Sequence, residues 1–436
     1  MSAPRGPARD PAATEASPAF ARIILPLSAL NVLNQASRAL VAVVGPLLAL
    51  EFGLSATELG MLAAAFFASY ALTQLPVGLA LDLYGSRRVQ SALALVAAAG
   101  FALSAMAEAA WLLAVGRFVT GIGVAAGFMA MIKTATEWYP RHRIAAVTGT
   151  GVFIGAAGGM LATLPAQWML PLLGWRGLFA LLAVAALLVA AWIRLVVPEA
   201  PPGAPPRRQQ RRKLGVEIAE FGRIFTHRAF LRLVPAVVLM TGLTFTYQGL
   251  WAGPWLRDVG GLGDEARAGV LFCFALGLMA GSLLNSRLAS ALQRRGADPM
   301  LVPYCGMVAM MAVQLVLALA APADPLLQTL LWTAFAYVSA TGPASFAAVG
   351  QHFPSELSGR VATAINATML VLVFVLQWAI GAILDLWPRT ASGGWDPAGY
   401  GWALLLTVAL QAAAAVWLVL APRPGRAEGT GSSGTA

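Results

Sequence analysis

Three basic side chains stand in stretches that are otherwise apolar: Arg38, Arg117 and Lys133. A charge at the depth of a hydrocarbon slab costs about 3 kcal/mol or more, so such residues face an aqueous cavity or a partner. Arg38 continues a stripe of Asn31, Asn34 and Gln35, spaced three or four apart, which a helix places on one face. A guanidinium held there attracts anions and can grip a carboxylate through two parallel hydrogen bonds. Arg38, Asn34 and Gln35 are therefore candidate substrate-binding residues. Lys133 lies seven residues before Pro140, about two turns from a helix end, where its ammonium either joins the site or reaches lipid phosphates. In the second half Thr241, Thr244, Gln248 and Trp251 follow helical spacing with Tyr247 beside them, while Asn366 and Gln377 share a later stretch. Tyr247, Gln248 and Asn366 are expected to form a neutral, polar wall, with interhelical hydrogen bonding as the competing role of each. No Asp or Glu occupies the middle of any apolar stretch, and Glu137, at the end of the one carrying Lys133, is the nearest candidate for coupling.

The elements that must position these groups follow from composition. The 436 residues are 59% hydrophobic and 11% charged, far from the roughly 25% charged of soluble domains. Apolar windows of about 20 residues, long enough to cross a bilayer as helices, occur near 22–50, 58–80, 89–108, 111–136, 144–169 and 174–197, then near 229–256, 266–290, 299–321, 325–351, 361–387 and 400–421. The expected fold is an all-α integral membrane protein of twelve transmembrane helices in two six-helix halves. The net charge of +10 does not imply nucleic acid, because the arginines fall in short runs between spans and not along one face. Cys273 and Cys305 lack metal-ligand spacing, and no nucleophile-base set or phosphate-cradling loop is present, so neither enzyme, metal nor cofactor is expected.

The expected organisation is a disordered tail over 1–21, a first half over 22–197, a linker with a short interfacial helix over 198–228, a second half over 229–421 and a disordered tail over 422–436. Arg207, Arg208, Arg211, Arg212 and Lys213 crowd the Pro-rich linker, after which Leu214, Ile218, Phe221, Ile224 and Phe225 recur at helical spacing. Basic residues concentrate on the loops sharing a side with the linker, among them Arg87, Arg88, Arg141, Arg143, Arg294 and Arg295. Positive loops stay inside, which predicts a bacterial inner-membrane protein with both termini cytoplasmic.

An internal repeat joins the halves. Gly45-Pro46 and Gly53-Leu54 recur as Gly253-Pro254 and Gly261-Leu262 at one offset of 208 residues (253 minus 45, and 261 minus 53). Parallel repeats of this kind place a substrate site between the halves near the bilayer midplane. After the second span the loop GLALDLYGSRR carries Gly78, Asp82, Gly85, Arg87 and Arg88. It resembles the signature loop of the major facilitator superfamily, and its carboxylate and basic pair are expected to latch one conformation by charge. Arg117, in GRFVTGIGVAAG, matches that superfamily's buried arginine, with a structural or a coupling role.

Within the superfamily, Arg38 together with a basic residue seven before the Trp-aromatic-Pro end of KTATEWYP resembles the anion:cation symporters and organophosphate antiporters. The pattern departs from both. Ser37 and Val124 stand where the symporters carry acids, and the repeat offset maps Arg38 onto Thr246, where the antiporters carry a second arginine. The glycines Gly151, Gly155 and Gly159 only loosely resemble the antiporter glycine-proline motif. The resemblance implies a monomeric secondary transporter of a small, carboxylate-like organic anion, with H+ or Na+ as candidate coupling ion. An exporter of drugs or siderophores and a non-transporting sensor of the same fold are the alternatives.

Overall fold

In hydrocarbon every backbone N–H and C=O needs a partner within the chain, and long apolar runs meet that need as helices. The computed structural model describes residues 20–200, 214–354, 357–391 and 393–421. Its first half holds α1 (Phe20–Glu51), α2 (Ala56–Tyr84), α3 (Ser86–Ala105), α4 (Ala110–Trp138), α5 (Arg141–Leu161) and α6 (Leu164–Val196). The described part of the linker forms α7 (Leu214–Thr226). The second half follows with α8 (Arg228–Asp258), α9 (Asp264–Gln293), α10 (Leu301–Leu319), α11 (Pro325–Ser339), α12 (Gly342–Gly350), α13 (Ser358–Leu384) and α14 (Pro397–Leu420). Ten of the described helices are by themselves long and apolar enough to cross a membrane. With α5 and the α11–α12 pair, the twelve expected crossings are accounted for.

Three spans differ from the continuous helices expected: residues 144–169 turn at Ala162 and Thr163, and the helix that follows, α6, is kinked at Gly174. Residues 325–351 break at Ala340 and Thr341, because Pro343 lacks the N–H an uninterrupted helix would need and instead opens α12. The fourth span is interrupted between Val124 and Gly127. The expected tails through Ala19 and from residue 422, and the linker arginines Arg207 to Lys213, lie outside the described residues. In α7 Phe221 and Ile224 are buried, and Glu220 pairs with Arg360 at 2.7 Å, which ties the linker helix to the start of α13.

Successive spans run in opposite directions, so the bundle has a linker face, near α7, and a far face, where α1, α8 and α13 end. The halves meet most closely toward the far face, along α2 against α13 and α1 against α8. A Cβ on Gly60 would stand 2.3 Å from the Gln377 carbonyl, and one on Gly381 2.4 Å from the Ala56 carbonyl. Backbone touches backbone there, and only glycine permits it. At the rim the Asp385 carboxylate accepts the Ala56 and Thr57 N–H groups at 2.9 and 2.8 Å, so the end of α13 caps the start of α2. Arg389 donates to the Leu54 carbonyl, and the segment carrying it is fastened to the second half through Asp258, which accepts the Trp395 N–H at 3.0 Å and the Tyr400 hydroxyl at 2.7 Å.

Burial pushes the Asp385 carboxyl up, but the hydrogen bonds from the Thr57 side chain and the Thr57 and Ala56 backbone outweigh it and hold the group below its ordinary value. A carboxyl with a depressed folded value stabilises the seal above its ordinary value, about 3.9, and loses that contribution as pH falls through the depressed one. Spin labels at the exposed Leu50 and Leu386 should therefore keep one separation from neutral pH to about pH 4 and move apart below it. In Asp385→Asn the separation should not respond to pH; a parent whose separation is equally unresponsive would show that Asp385 does not hold the far face.

Candidate anion-binding site

The central helix α1 is enclosed: 83% of its most apolar window is buried, against 33% for the peripheral α6. A long cation on α6 could snorkel to the membrane surface, but Arg38 near the middle of α1 cannot. Its side chain stays inside at 5% exposure, with its guanidinium carbon 4.5 Å from the ring centre of Phe245, 5.3 Å from Tyr70, 5.6 Å from Phe67 and 5.7 Å from Phe66. Rings within about 6 Å attract a desolvated cation through their electron-rich faces. They do not supply a counter-charge, and the Arg38 Nε has no hydrogen-bond partner among the described residues. Phe66, Tyr70 and Gln74 recur every fourth residue of α2, so one helix face presents two rings and an amide toward α1.

Arg117 of α4 also lies against Phe66, with its guanidinium carbon 4.7 Å from the ring centre. Its Nη1 donates to both the carbonyl and the hydroxyl of Ser37 at 2.8 Å. The two cations thus lie near one aromatic ring, each without an acidic partner among the described residues. The polar groups around them are underused. Asn34 donates to the Tyr70 hydroxyl at 3.4 Å and leaves its Oδ1 unmatched, neither polar atom of the buried Gln74 amide has a partner, and Gln377 donates to the Thr246 carbonyl at 3.1 Å but leaves its Oε1 free. A buried polar atom without a partner costs about 1–3 kcal/mol, so these groups are poised to bind something. The cation could hold a carboxylate, and the amides its neighbouring oxygens.

The other expected site residues scatter. Gln35 lies half-buried on α1, while Asn31 turns to α5, where a Cβ on Gly155 would collide with its amide at 2.1 Å. Gln248 is 8% exposed and faces α5 across the interface, 3.4 Å from where a Cβ on Gly159 would sit. Tyr247 points into the second half, its hydroxyl 3.4 Å from that of Thr407 and its ring against Trp332 and Phe335. As the sequence neighbour of Gln248 it stands about 100° round the helix from it, so the two face different surroundings. Asn366 is half-buried on α13. Tyr70, Phe66, Phe67, Gln74 and Phe245 were missed, although the four-residue recurrence on α2 was there to find.

At the linker face charges pair differently from the expected latch. Gly85, with φ of 81°, ends α2 and starts α3 in a conformation suited to glycine. Asp82, before this turn, bonds not to Arg87 or Arg88 but to Lys133 of α4, which also stands 3.9 Å from Glu137. Beyond the turn Arg87 donates to the Arg194 carbonyl at 3.0 and 2.6 Å, and Arg88 pairs with Glu199 at 3.0 Å. Gly78 has open space around it. The structure therefore assigns Lys133 to the linker-face charge network and separates it from Arg117 by sixteen residues of α4, about 24 Å of helix. The second-half counterpart of this loop keeps Asn285, which donates to the Tyr337 carbonyl at 2.8 Å.

A profile of the Major Facilitator Superfamily matches residues 27–377. The chain belongs to this superfamily. Its described helices accordingly form the superfamily's all-helical, multi-pass fold. The chain is similar to the probable sulfoacetate transporter of Cupriavidus necator, 29% identical over 34% of this chain and 34% of that protein. It is also similar to the probable galactarate/D-glucarate transporter of Escherichia coli K12, 28% identical over 40% of this chain and 41% of that protein. The matched stretches thus span about a third to two fifths of these curated relatives' length. The fold is similar to that of a bacterial homologue of the human lysosomal transporter Spinster in an inward-facing, unoccupied conformation, with a TM-score of 0.71 at 18% identity over 92% of this chain and 96% of the other.

For this superfamily member the linker-face network supplies a thermodynamic test. Asp82 and Lys133 are direct partners, so Asp82→Asn, Lys133→Gln and the double substitution should perturb the linker face by about the same amount, with a coupling energy of about 0.5–1 kcal/mol for a pair this exposed. The double-mutant cycle would be measured by thermal unfolding in detergent; additive effects would mean that the two side chains act independently.

Proposed function

We propose that this chain carries small organic anions of the carboxylate class across the bacterial inner membrane by alternating access, with Arg38 as the contact for the anionic group. The observation that carries this reading is a buried guanidinium, enclosed by four rings and lacking an acidic partner, at the interface of the two halves. The relatives support it, since the similar proteins of C. necator and E. coli are described as transporters of sulfoacetate and of galactarate and D-glucarate, all acids. Asn34, Tyr70, Gln74 and Gln377 complete the site around the anion, and Arg117 holds Ser37 and the helix pair in place. The two halves, 22–197 and 229–421, rock about the site as units joined by the linker, with one copy of the chain sufficient. H+ or Na+ remains the candidate coupling ion, with Glu137 the acid nearest the translocation path on α4.

The arginine asymmetry places the linker face in the cytoplasm. On that reading the closed far face is periplasmic. A cysteine introduced at Gln210, in a background lacking Cys273 and Cys305, should resist a membrane-impermeant thiol reagent in intact cells. Modification there would reverse the orientation.

Purified protein in liposomes would be tested for uptake and binding against sulfoacetate, galactarate, D-glucarate and simple monocarboxylates. For any anion bound, Arg38→Lys should weaken binding, since an ammonium cannot reproduce the guanidinium's paired contact. Arg38→Gln should nearly abolish it, at a cost of about 2–5 kcal/mol. Lys133→Gln should have a much smaller effect. A folded Arg38→Gln protein with parental affinity would remove Arg38 from the site.

A further inference from the structure

The two walls of the site differ in what they can hold. Arg38 on α1 is the cation of the first-half wall, and Thr246 stands at its repeat position, 208 residues on (246 minus 38), in the second half. Neither the run from Leu233 to Leu256 in α8 nor the run from Val361 to Leu384 in α13 contains a Lys, Arg or His. These two helices therefore offer no positive charge to a substrate seated against Arg38. What they offer is one oriented amide. Gln377 of α13 is fully buried, and its Nε2 donates to the Thr246 carbonyl at 3.1 Å. A carbonyl oxygen only accepts, so this contact fixes which end of the amide is the nitrogen. The other end, Oε1, has no hydrogen-bond partner among the described residues. Phe67 is a neighbour of both the amide and the cation. Its ring centre is 5.6 Å from the Arg38 guanidinium carbon, and a Cβ on Gly249 would stand 3.7 Å from the Phe67 Cζ and 3.5 Å from the Gln377 Nε2.

A buried amide oxygen is completed by a donor, and a substrate hydroxyl is one. A carboxylate in the same place brings a second acceptor and a negative charge that no cation of α8 or α13 neutralises. We infer that Gln377 sets selectivity at the end of the substrate remote from its carboxylate. The chain takes monoanionic hydroxycarboxylates, with the carboxylate on Arg38 and a hydroxyl donating to the Gln377 Oε1, and it discriminates against dianions whose second carboxylate falls at that end. This selectivity rests on Arg38 being the anion contact and adds the chemistry of the opposite end. Arg117 does not serve a second carboxylate there, because it belongs to the first half, against Phe66, with its Nη1 on Ser37. A diacid fits once its second group is protonated, since a neutral carboxyl donates as a hydroxyl does.

The test uses ligands that differ only at one terminus, a primary alcohol against a second carboxylate: D-gluconate with D-glucarate, and glycerate with tartronate as a shorter pair. Binding to the full chain in lipid nanodiscs is measured by calorimetry. At about pH 7 the monoanion of whichever pair binds should bind at least about tenfold more tightly than its dianion. As pH falls to about 5.5, the dianion should gain about tenfold per unit with the rise of its half-protonated form, while the monoanion stays level. Gln377→Leu, which removes the acceptor, should weaken the monoanion about tenfold and erase the preference. Gln377→Lys, which sets an ammonium in that wall, should reverse it. Where neither variant folds, the pH series on the parent decides. Equal binding of monoanion and dianion by the parent, with both lost in Arg38→Gln, upholds the anion site and overturns the selectivity. A folded Gln377→Leu protein with the parental preference removes Gln377 from the site. Parental affinity in Arg38→Gln, or a parent that binds no member of either pair, overturns the selectivity together with the reading it rests on.

Discussion

Much of this structure answers to the burial of one uncompensated guanidinium. Arg38 stands on the most enclosed of the described apolar helices, with four rings about it and no carboxylate partner among the described residues. A lone buried cation is expensive, and proteins retain such groups where they bind or move something. The placement of Phe66, Phe67 and Tyr70 on the facing side of α2, of Phe245 on α8, and of Arg117 against Phe66 all bear on that cost. The rings lower it by cation–π attraction, and the Ser37 carbonyl and hydroxyl satisfy part of the Arg117 guanidinium.

Closure at the far face uses a different kind of interaction. Between transmembrane helices no hydrophobic drive distinguishes protein from lipid, so association depends on close packing and hydrogen bonds. Gly60 and Gly381 supply the first by letting α2 and α13 touch backbone to backbone, and Asp385 supplies the second by capping α2 from the end of α13. These contacts cross between the halves, and the seal can be undone without dismantling either. The linker-face charges are arranged otherwise: Asp82 with Lys133 and Arg88 with Glu199 all join helices or connections of the first half to one another. They order that half's own edge, and a different residue set would have to meet them when the linker face closes.

Membership in the superfamily and a shared fold do not by themselves choose a substrate, because the chemistry resides in a handful of midplane side chains set on a common bundle. Here those side chains are one fixed cation, several rings and a set of partly unmatched amides. The arrangement suits an anion with polar substituents better than a cation or a wholly apolar molecule, and it separates the question of what binds from the question of what ion drives it.

The twelve apolar runs, the linker between the sixth and seventh, the repeat at one offset and the loop around Asp82 were all legible in the sequence. Each is a local or periodic property: a helix in lipid satisfies its own backbone, so length and apolarity alone define it. The depth of Arg38 was legible for the same reason. Partnerships were not, because they join residues far apart in the chain. Nothing near Lys133 announces that it turns to Asp82, and nothing near Tyr247 announces that its hydroxyl meets that of Thr407 inside the second half. Nor does the sequence distinguish Asn31, wedged against α5, from Asn34, bonded to Tyr70 beside the cation, although both lie on α1 three residues apart. Helical spacing determines which side chains share a face; only the packing of neighbouring helices decides whether that face meets a cavity, a glycine or a charge.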